Sequence, residues 1–383
     1  MRNLLLASAR IRGRAASASG RTRHYVRRSL EPVRAARSIL RALWNSGRPA
    51  ARSGAPSIAA QAAQLSWLWM RHGVPADLYY YYRLYRPSIR GQAGRFIVFG
   101  VHKAITDAII DARHVDRGTL DDKRMFERIC RTHGIATPPV LASFTAGRVD
   151  WMKELPPADL FSKPTAGSMG RDTAIWRREA PGWSSDGLRL DQAGLRDELS
   201  RRSLSMPQIL QPRVENDEAI RALGCGGVCT ARVVTIRFPD APAEHLRSVF
   251  RMTTHGSPAD NFAAGGMAAP VDALTGAIGP AVRKGSAERF ERHPDTGATI
   301  PGTVLPRWGE VLALCLRAHD EAFRDFPGVG WDVAITPAGP WLMEGNHDWD
   351  LKLMQQPHDE PLGSTRLPAC YLAHLAALGM DRD

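Results

Sequence analysis

An α+β fold is predicted for this 383-residue chain by three features of its sequence. Beyond Asp121, short apolar runs of strand length alternate with longer runs of helical period. Before that point the sequence is helical and rich in aromatic residues. The length also suffices for two or three modules sharing a large core. The boundaries that follow are 1–55 as a basic, flexible tail and 56–150 as a helical region. Two α+β lobes complete the chain, 151–215 and 216–383.

The tail is an Arg/Ala/Ser-rich segment with a helical stretch over 33–44 and a linker-like break over 47–56. It holds thirteen of the 51 basic residues and one of the 39 acidic ones, which is the whole net charge of +12. The body is therefore electrically balanced, which argues against a nucleic-acid-binding role for the protein as a whole. Arginine-rich, acid-poor starts occur in organelle transit peptides, on anionic membranes and in plain solvated tails. Residues 58–90 carry a helical pattern ending in Tyr79, Tyr80, Tyr81, Tyr82 and Tyr85, read as packing residues with hydroxyls in water. An amphipathic helix spans 121–133, closed by Gly134-Ile135 and followed by Pro138-Pro139.

Strands are predicted at 160–162, 173–176, 208–210, 231–238, 248–253, 331–335 and 341–343, with helices at 190–202 and 308–323. Residues 180–187 and 297–302 read as turn-rich connections. The five cysteines, Cys130, Cys225, Cys229, Cys315 and Cys370, are odd in number and supply no second pair for zinc, so reduced thiols in a cytoplasmic protein are expected. No stretch approaches the roughly 18 apolar residues of a spanning helix.

Two segments carry chemistry. In Phe161-Ser162-Lys163-Pro164-Thr165-Ala166-Gly167-Ser168-Met169-Gly170-Arg171 a strand ends in a lysine, and a loop of small residues follows. Small residues let backbone N–H groups approach phosphate oxygens, and the lysine supplies a cation. The lysine precedes the glycines, so this is not a Walker A loop; a Lys-Pro corner with a surface turn would also fit. The second segment runs from Gly330-Trp331-Asp332 to Glu344-Gly345-Asn346 and reads as a hairpin turning at 336–339. Strand alternation puts Glu344 and Asn346 on one face of their strand, within reach of Asp332 on the partner. Two carboxylates and an amide suit magnesium, a hard ion that takes its remaining ligands from water and nucleotide phosphates.

The order of these segments resembles the ATP-grasp superfamily: Asp122-Lys123 opening a helix, Gly134-Ile135-Ala136-Thr137-Pro138-Pro139, Phe161-Ser162-Lys163-Pro164, Ile209-Leu210-Gln211-Pro212-Arg213, then the terminal hairpin. Thr230-Ala231-Arg232-Val233-Val234-Thr235, Asp260-Asn261-Phe262-Ala263-Ala264-Gly265-Gly266 and Val271-Asp272-Ala273-Leu274-Thr275-Gly276 sharpen the resemblance to the group associated with sugar transfer and cell-surface polysaccharide biosynthesis. It covers 90–360.

The resemblance implies two α+β lobes clasping ATP, with Mg²⁺ (one or two ions, Mn²⁺ substituting). Lys123 and Lys163 would contact phosphates, and Gly167, Ser168 and Gly170 would cover them. Gln211, Pro212 and Arg213 would form the hinge whose backbone reads adenine, with Glu215 or Asp217 on the ribose. Asp332, Glu344 and Asn346 would hold the metal, and Arg232 and Arg251 would approach the γ-phosphate or an acyl phosphate. For Arg232 a structural ion pair is the alternative, as an arginine in an apolar strand needs a partner. Asp260 and Asn261 would order a substrate loop or cap a turn.

The sequence departs from the family pattern by lacking its usual N-terminal α/β domain and by continuing past Asn346 with His347-Asp348-Trp349-Asp350, where His347 and Asp348 could position an acceptor. The expected activity is ADP-forming carboxylate–amine ligation through an acyl phosphate, acting on a carboxylate-bearing small molecule or glycan precursor. Two other readings stand beside it. One is a kinase acting on a glycan-precursor hydroxyl. The other is a non-enzymatic protein whose basic tail docks on a membrane or nucleic acid.

Overall fold

The computed structural model describes residues 1–14, 31–52, 54–166, 172–255, 260, 262, 265–286 and 288–380. Eight helices of ten or more residues occur among them. They are α1 (Arg2–Arg14), α2 (Glu31–Ala42), α3 (Ile58–His72), α4 (Phe99–Ala112), α5 (Lys123–Thr132), α6 (Gln192–Arg202), α7 (Trp308–Arg317) and α8 (Leu367–Ala377). Thirteen strands form two antiparallel sheets.

The first sheet contains β1 (Ala142–Thr145), β2 (Arg148–Trp151), β3 (Leu160–Pro164), β4 (Ala174–Glu179), β5 (Gly182–Ser185), β6 (Leu188–Leu190) and β7 (Gln208–Pro212), in the order β2-β1-β7-β3-β4-β5-β6. One of its faces packs on α6 through Leu195 and Leu199, which meet Leu160, Trp176 and Leu210. Asp191 starts α6 by accepting the Gly194 N–H at 2.8 Å, an N-cap that satisfies one orphan donor. Residues 180–187, expected to be turn-rich, instead carry β5: the connections shrink to tight turns because strand pairing to β4 and β6 satisfies the backbone.

The second sheet holds β8 (Thr230–Arg237), β9 (Ala243–Met252), β10 (Met267–Pro270), β11 (Val282–Arg283), β12 (Gly328–Thr336) and β13 (Gly339–Asn346), in the order β11-β10-β9-β8-β12-β13. Both faces are covered. On one, Phe126 and Cys130 of α5 and Val311 and Cys315 of α7 meet Phe250, Trp331 and Val333. On the other, Ile105 and Ile109 of α4, Leu375 of α8 and Leu4 of α1 meet Val234, Ile236 and Val249. Every residue of β12 is consequently buried, although Asp332 and Thr336 are polar.

The segment read as a flexible tail thus includes α1, whose Leu4 is fully buried, and α2, whose Ile39 and Ala42 pack on the tyrosine-rich core. Apolar residues at helical spacing find a face to cover, which a count of arginines does not reveal. The tyrosines pack as expected, but their hydroxyls are not all in water. Tyr79 and Tyr80 donate to Gln64 and Gln61, each at 2.7 Å, and Gln355 donates to Tyr82 at 2.9 Å. Burial leaves these hydroxyls no solvent, so glutamines satisfy them.

Candidate nucleotide and metal site

Strand register assembles the polar end of the second sheet. Asp332 on β12 lies opposite Arg232 on β8 and opposite Glu344 on β13, so three ionisable side chains stand in one row across three strands. The register then shifts between Asp332 and Val333, a bulge on the β13 side at Met343. Asn346 follows on the same face as Glu344, opposite Gly330, and its amide lies 3.5 Å from both the Gly330 carbonyl and the Glu344 carboxylate. Gly345 between them faces the core, where a Cβ would come within 2.8 Å of the Trp331 ring and 2.9 Å of Leu120, so a larger residue must displace one of them.

The Asp332 carboxylate is gripped on both oxygens. Arg232 donates through Nε to Oδ1 and through Nη2 to Oδ2 at 2.9 Å, and Arg251 reaches Oδ2 at 2.9 Å. Such bidentate, charge-assisted pairing is what a buried ion needs. Burial by itself would raise the Asp332 pKa, but the two guanidinium groups outweigh it and hold the carboxyl well below the usual range; a hydrogen bond with Glu344 adds to this.

Arg251 also pairs with Asp260 at 2.9 Å and donates to the Thr230 hydroxyl at 2.8 Å, while that hydroxyl donates to Asp260. Burial raises the Asp260 carboxyl to about 6 against the attraction of Arg251, with Asp332 adding repulsion. Asp260 therefore anchors Arg251 rather than merely capping a turn, whereas Asn261 lies outside the described residues. Thr230 was not singled out from the sequence; its position opposite Arg251 in the β8–β9 register is the signal that could have found it.

The lysines come from the other side. On β3, Leu160 and Ser162 point into the first core, where Ser162 accepts the Trp176 indole N–H at 3.0 Å, so alternation turns Phe161 and Lys163 to the opposite face. Burial lowers the Lys163 pKa to about 8, and Lys123 pushes it the same way, while Glu344 and Asp332 oppose. Lys163 therefore lies within electrostatic reach of Lys123, Glu344 and Asp332. Lys123 opens α5, capped by Asp122, which accepts from Arg124 N at 2.8 Å; the Lys123 N–H donates to the Thr165 carbonyl at 3.0 Å. The start of α5 is thereby tied to the end of β3.

A short segment bridges the two sheets. Leu342 N donates to Ala136 O at 2.9 Å and Thr137 donates to Leu342 O at 2.8 Å, while the Gln211 amide donates to Pro138 O at 2.8 Å. Gln211 and Pro212 end β7, and Arg213 binds Asp159 twice, by its N–H to the carbonyl at 2.8 Å and by its guanidinium to the carboxylate at 2.9 Å. Glu215 is exposed; Asp217 caps the following helical turn by accepting from Ala219 N at 3.0 Å. Gly167, Ser168 and Gly170 lie outside the described residues. His347 is buried over the Phe326 ring, 3.4 Å from Asp121, and Asp348 pairs with Lys103 at 3.5 Å.

The donors fit a hard cation. Glu344 lies opposite Asp332 in the register with the Asn346 amide 3.5 Å away, so oxygen atoms of three side chains gather at one end of the sheet. Among the described residues no group of three or more His, Cys, Asp or Glu could hold a metal ion alone. Two carboxylates and an amide would leave further positions to water and phosphate, as magnesium prefers. Four cations, Lys123, Lys163, Arg232 and Arg251, face three carboxylates, Asp260, Asp332 and Glu344, so the cluster is also suited to a polyanion.

The family is decided by residues 113–367, which match the sugar-transfer associated ATP-grasp family. The chain belongs to that family. No curated protein matches its sequence. Solved structures of ligases and a synthetase are similar to this chain at low identity. An ATP complex of D-alanine–D-alanine ligase from Bacillus anthracis is 13% identical, with 67% of each chain covered and a TM-score of 0.36. An L-amino acid ligase from Bacillus licheniformis is 12% identical, with 65% of this chain and 46% of that one covered and a TM-score of 0.35. An ADP complex of N5-carboxyaminoimidazole ribonucleotide synthetase is 10% identical, with 60% and 45% covered and a TM-score of 0.34. The chain thus spans less than half the length of the last two. Among the described residues of this ATP-grasp protein, no helix is long and apolar enough to cross a membrane.

Proposed function

We propose that this ATP-grasp protein is an ADP-forming carboxylate–amine ligase acting on a carboxylate-bearing precursor of a cell-surface polysaccharide. One observation carries the reading: Asp332 and Glu344 touch as register partners, and Lys163 approaches them from the facing sheet. In this reading Asp332, Glu344 and Asn346 hold Mg²⁺, or Mn²⁺ in its place, and the backbone after Gln211 receives adenine. Magnesium, when bound, neutralises phosphate oxygens and aligns them.

Lys123 and Lys163 hold the phosphates from the other side, and Arg251, fixed by Asp260 and Thr230, stabilises charge on the transferred group. A substrate carboxylate oxygen attacks the γ-phosphorus and ADP leaves; an amine then attacks the acyl carbon and phosphate leaves. Positioning and charge neutralisation carry both steps, which need no protein nucleophile.

Glu344→Gln is the sharpest test, because Glu344 is only half-buried and its loss strands no buried arginine. ADP release is expected to fall by about 10²–10³-fold while the thermal midpoint stays put. Wild-type turnover in that variant would remove the site. ADP release with an alcohol acceptor and no carboxylate would replace ligation by phosphorylation.

A further inference from the structure

Helices α2 and α3 pack against each other and both turn apolar side chains to solvent. Val33, Leu40 and Trp44 are seven and four residues apart, so they line one stripe, with Trp44 in the wider turn that continues α2. Trp44 is 85% exposed and Leu40 66%. Helical spacing sets Arg34, Arg37 and Arg41, all exposed, along one side of this stripe. Ile39, Ala42 and Leu43 pack instead on the tyrosine-rich core.

On α3, Leu65 and Leu68 are buried in the tyrosine-rich core, yet apolar side chains also cover the opposite face. Ala59, Ala63, Trp67 and Met70 line the outward face, with Met70 70% exposed, while Gln61 and Gln64 turn inward to the tyrosine hydroxyls. A helix that buries leucines on one face and still shows Trp67 and Met70 to water on the other is suited to meet a second surface.

Charge identifies that surface. No acidic residue occurs between Glu31 and Asp77, while Arg34, Arg37, Arg41, Arg48, Arg52 and Arg71 all lie in that stretch. Two copies of this face brought together would oppose arginine to arginine with no carboxylate between them. Binding to a nucleic acid would use the arginines but leave the apolar stripe in water. A bilayer surface with anionic headgroups uses both. We propose that this face lies flat on an anionic lipid membrane, with Leu40, Trp44, Trp67 and Met70 at the acyl–headgroup boundary and the arginines on lipid phosphates.

Flotation of the full chain with vesicles tests this. Binding is expected to vesicles of phosphatidylcholine mixed with phosphatidylglycerol, absent with phosphatidylcholine alone, and weakened by salt. Leu40→Ser with Trp44→Ser should weaken it by about tenfold or more, and Arg34→Gln with Arg37→Gln and Arg41→Gln should do the same. ATP turnover and thermal midpoint should be unchanged in both sets, since all five side chains are exposed. Wild-type vesicle binding by either folded variant set would overturn the proposal. So would a dimer that the serine variant dissociates, or retention of RNA binding by that variant with no binding to any vesicle.

Discussion

The two sheets bring unlike charges to one cleft and hold them by different means. On the six-stranded sheet Asp332 is locked by Arg232 and Arg251, and Arg251 in turn by Asp260 and Thr230, so each buried ion has a partner before any ligand arrives. On the seven-stranded sheet Lys163 is held by strand alternation, with its charge disfavoured by burial and by Lys123 and supported across the gap by Glu344 and Asp332. The first arrangement is stable alone; the second gains from an anion.

That contrast can be broken from either side. Lys163→Met is expected to lower ATP turnover by about 10²-fold or more with the fold retained, because it removes a disfavoured buried charge; unfolding of the variant would show the lysine to be structural. Asp332→Ala should instead leave the buried Arg232 without its partner, while Arg251 keeps Asp260, and cost about 3–5 kcal/mol in urea unfolding. A loss below about 1 kcal/mol would mean the ion pairs do not hold this sheet. Comparison with Glu344→Gln then separates metal chemistry from stability, which the aspartate substitution confounds.

A smaller effect is expected at Gly345→Ala. The added methyl meets Trp331 and Leu120, at a cost of about 1–3 kcal/mol, and shifts Glu344 and Asn346 enough to weaken metal-dependent turnover. An unchanged midpoint would show that the Trp331 ring yields.

The same sheet should weaken in acid. Burial lowers the pKa of His319 to about 4 and that of His102 to about 3, so each stays neutral in the fold while the unfolded chain takes up a proton below about 6.5. Stability is therefore lost as pH falls through 6.5 towards these values, by about 1.4 kcal/mol per histidine between pH 7.5 and 5.5. The difference in urea-unfolding free energy between the two pH values should shrink by that amount in His319→Gln relative to the parent. His319 joins Thr235 and the Phe326 carbonyl beneath Trp331, so this reads the packing under the site without touching it.

Much of the site was legible because strand and helix periods are short-range. The alternation of Asp332 and Ala334, the two-residue step from Glu344 to Asn346, the Asp122 cap before Lys123 and the strand end at Lys163 follow from local spacing, and the elements formed within a few residues of expectation. Partners across the sheet were not legible. Nothing local says that Arg232 meets Asp332, 100 residues on, or that Thr230 and Asp260 hold Arg251. The arginine-rich segment hides its packing for a related reason: the apolar faces of α1 and α2 are defined only by the surfaces they cover.

By itself, then, the sequence marked out candidate residues for phosphate and a hard cation, and determined the order of the elements bearing them and the placement of all the net charge in 55 residues. These depend on residue type and on periods of two and 3.6. The tertiary structure alone decided that Asp332 carries two arginines, that Lys163 faces Glu344 from another sheet, and that Trp44 and Trp67 stay outside while Gln61 and Gln64 go in. Burial and pairing belong to surfaces that meet only after the chain has closed, and the free energy of a buried ion is set by those meetings rather than by its neighbours in sequence.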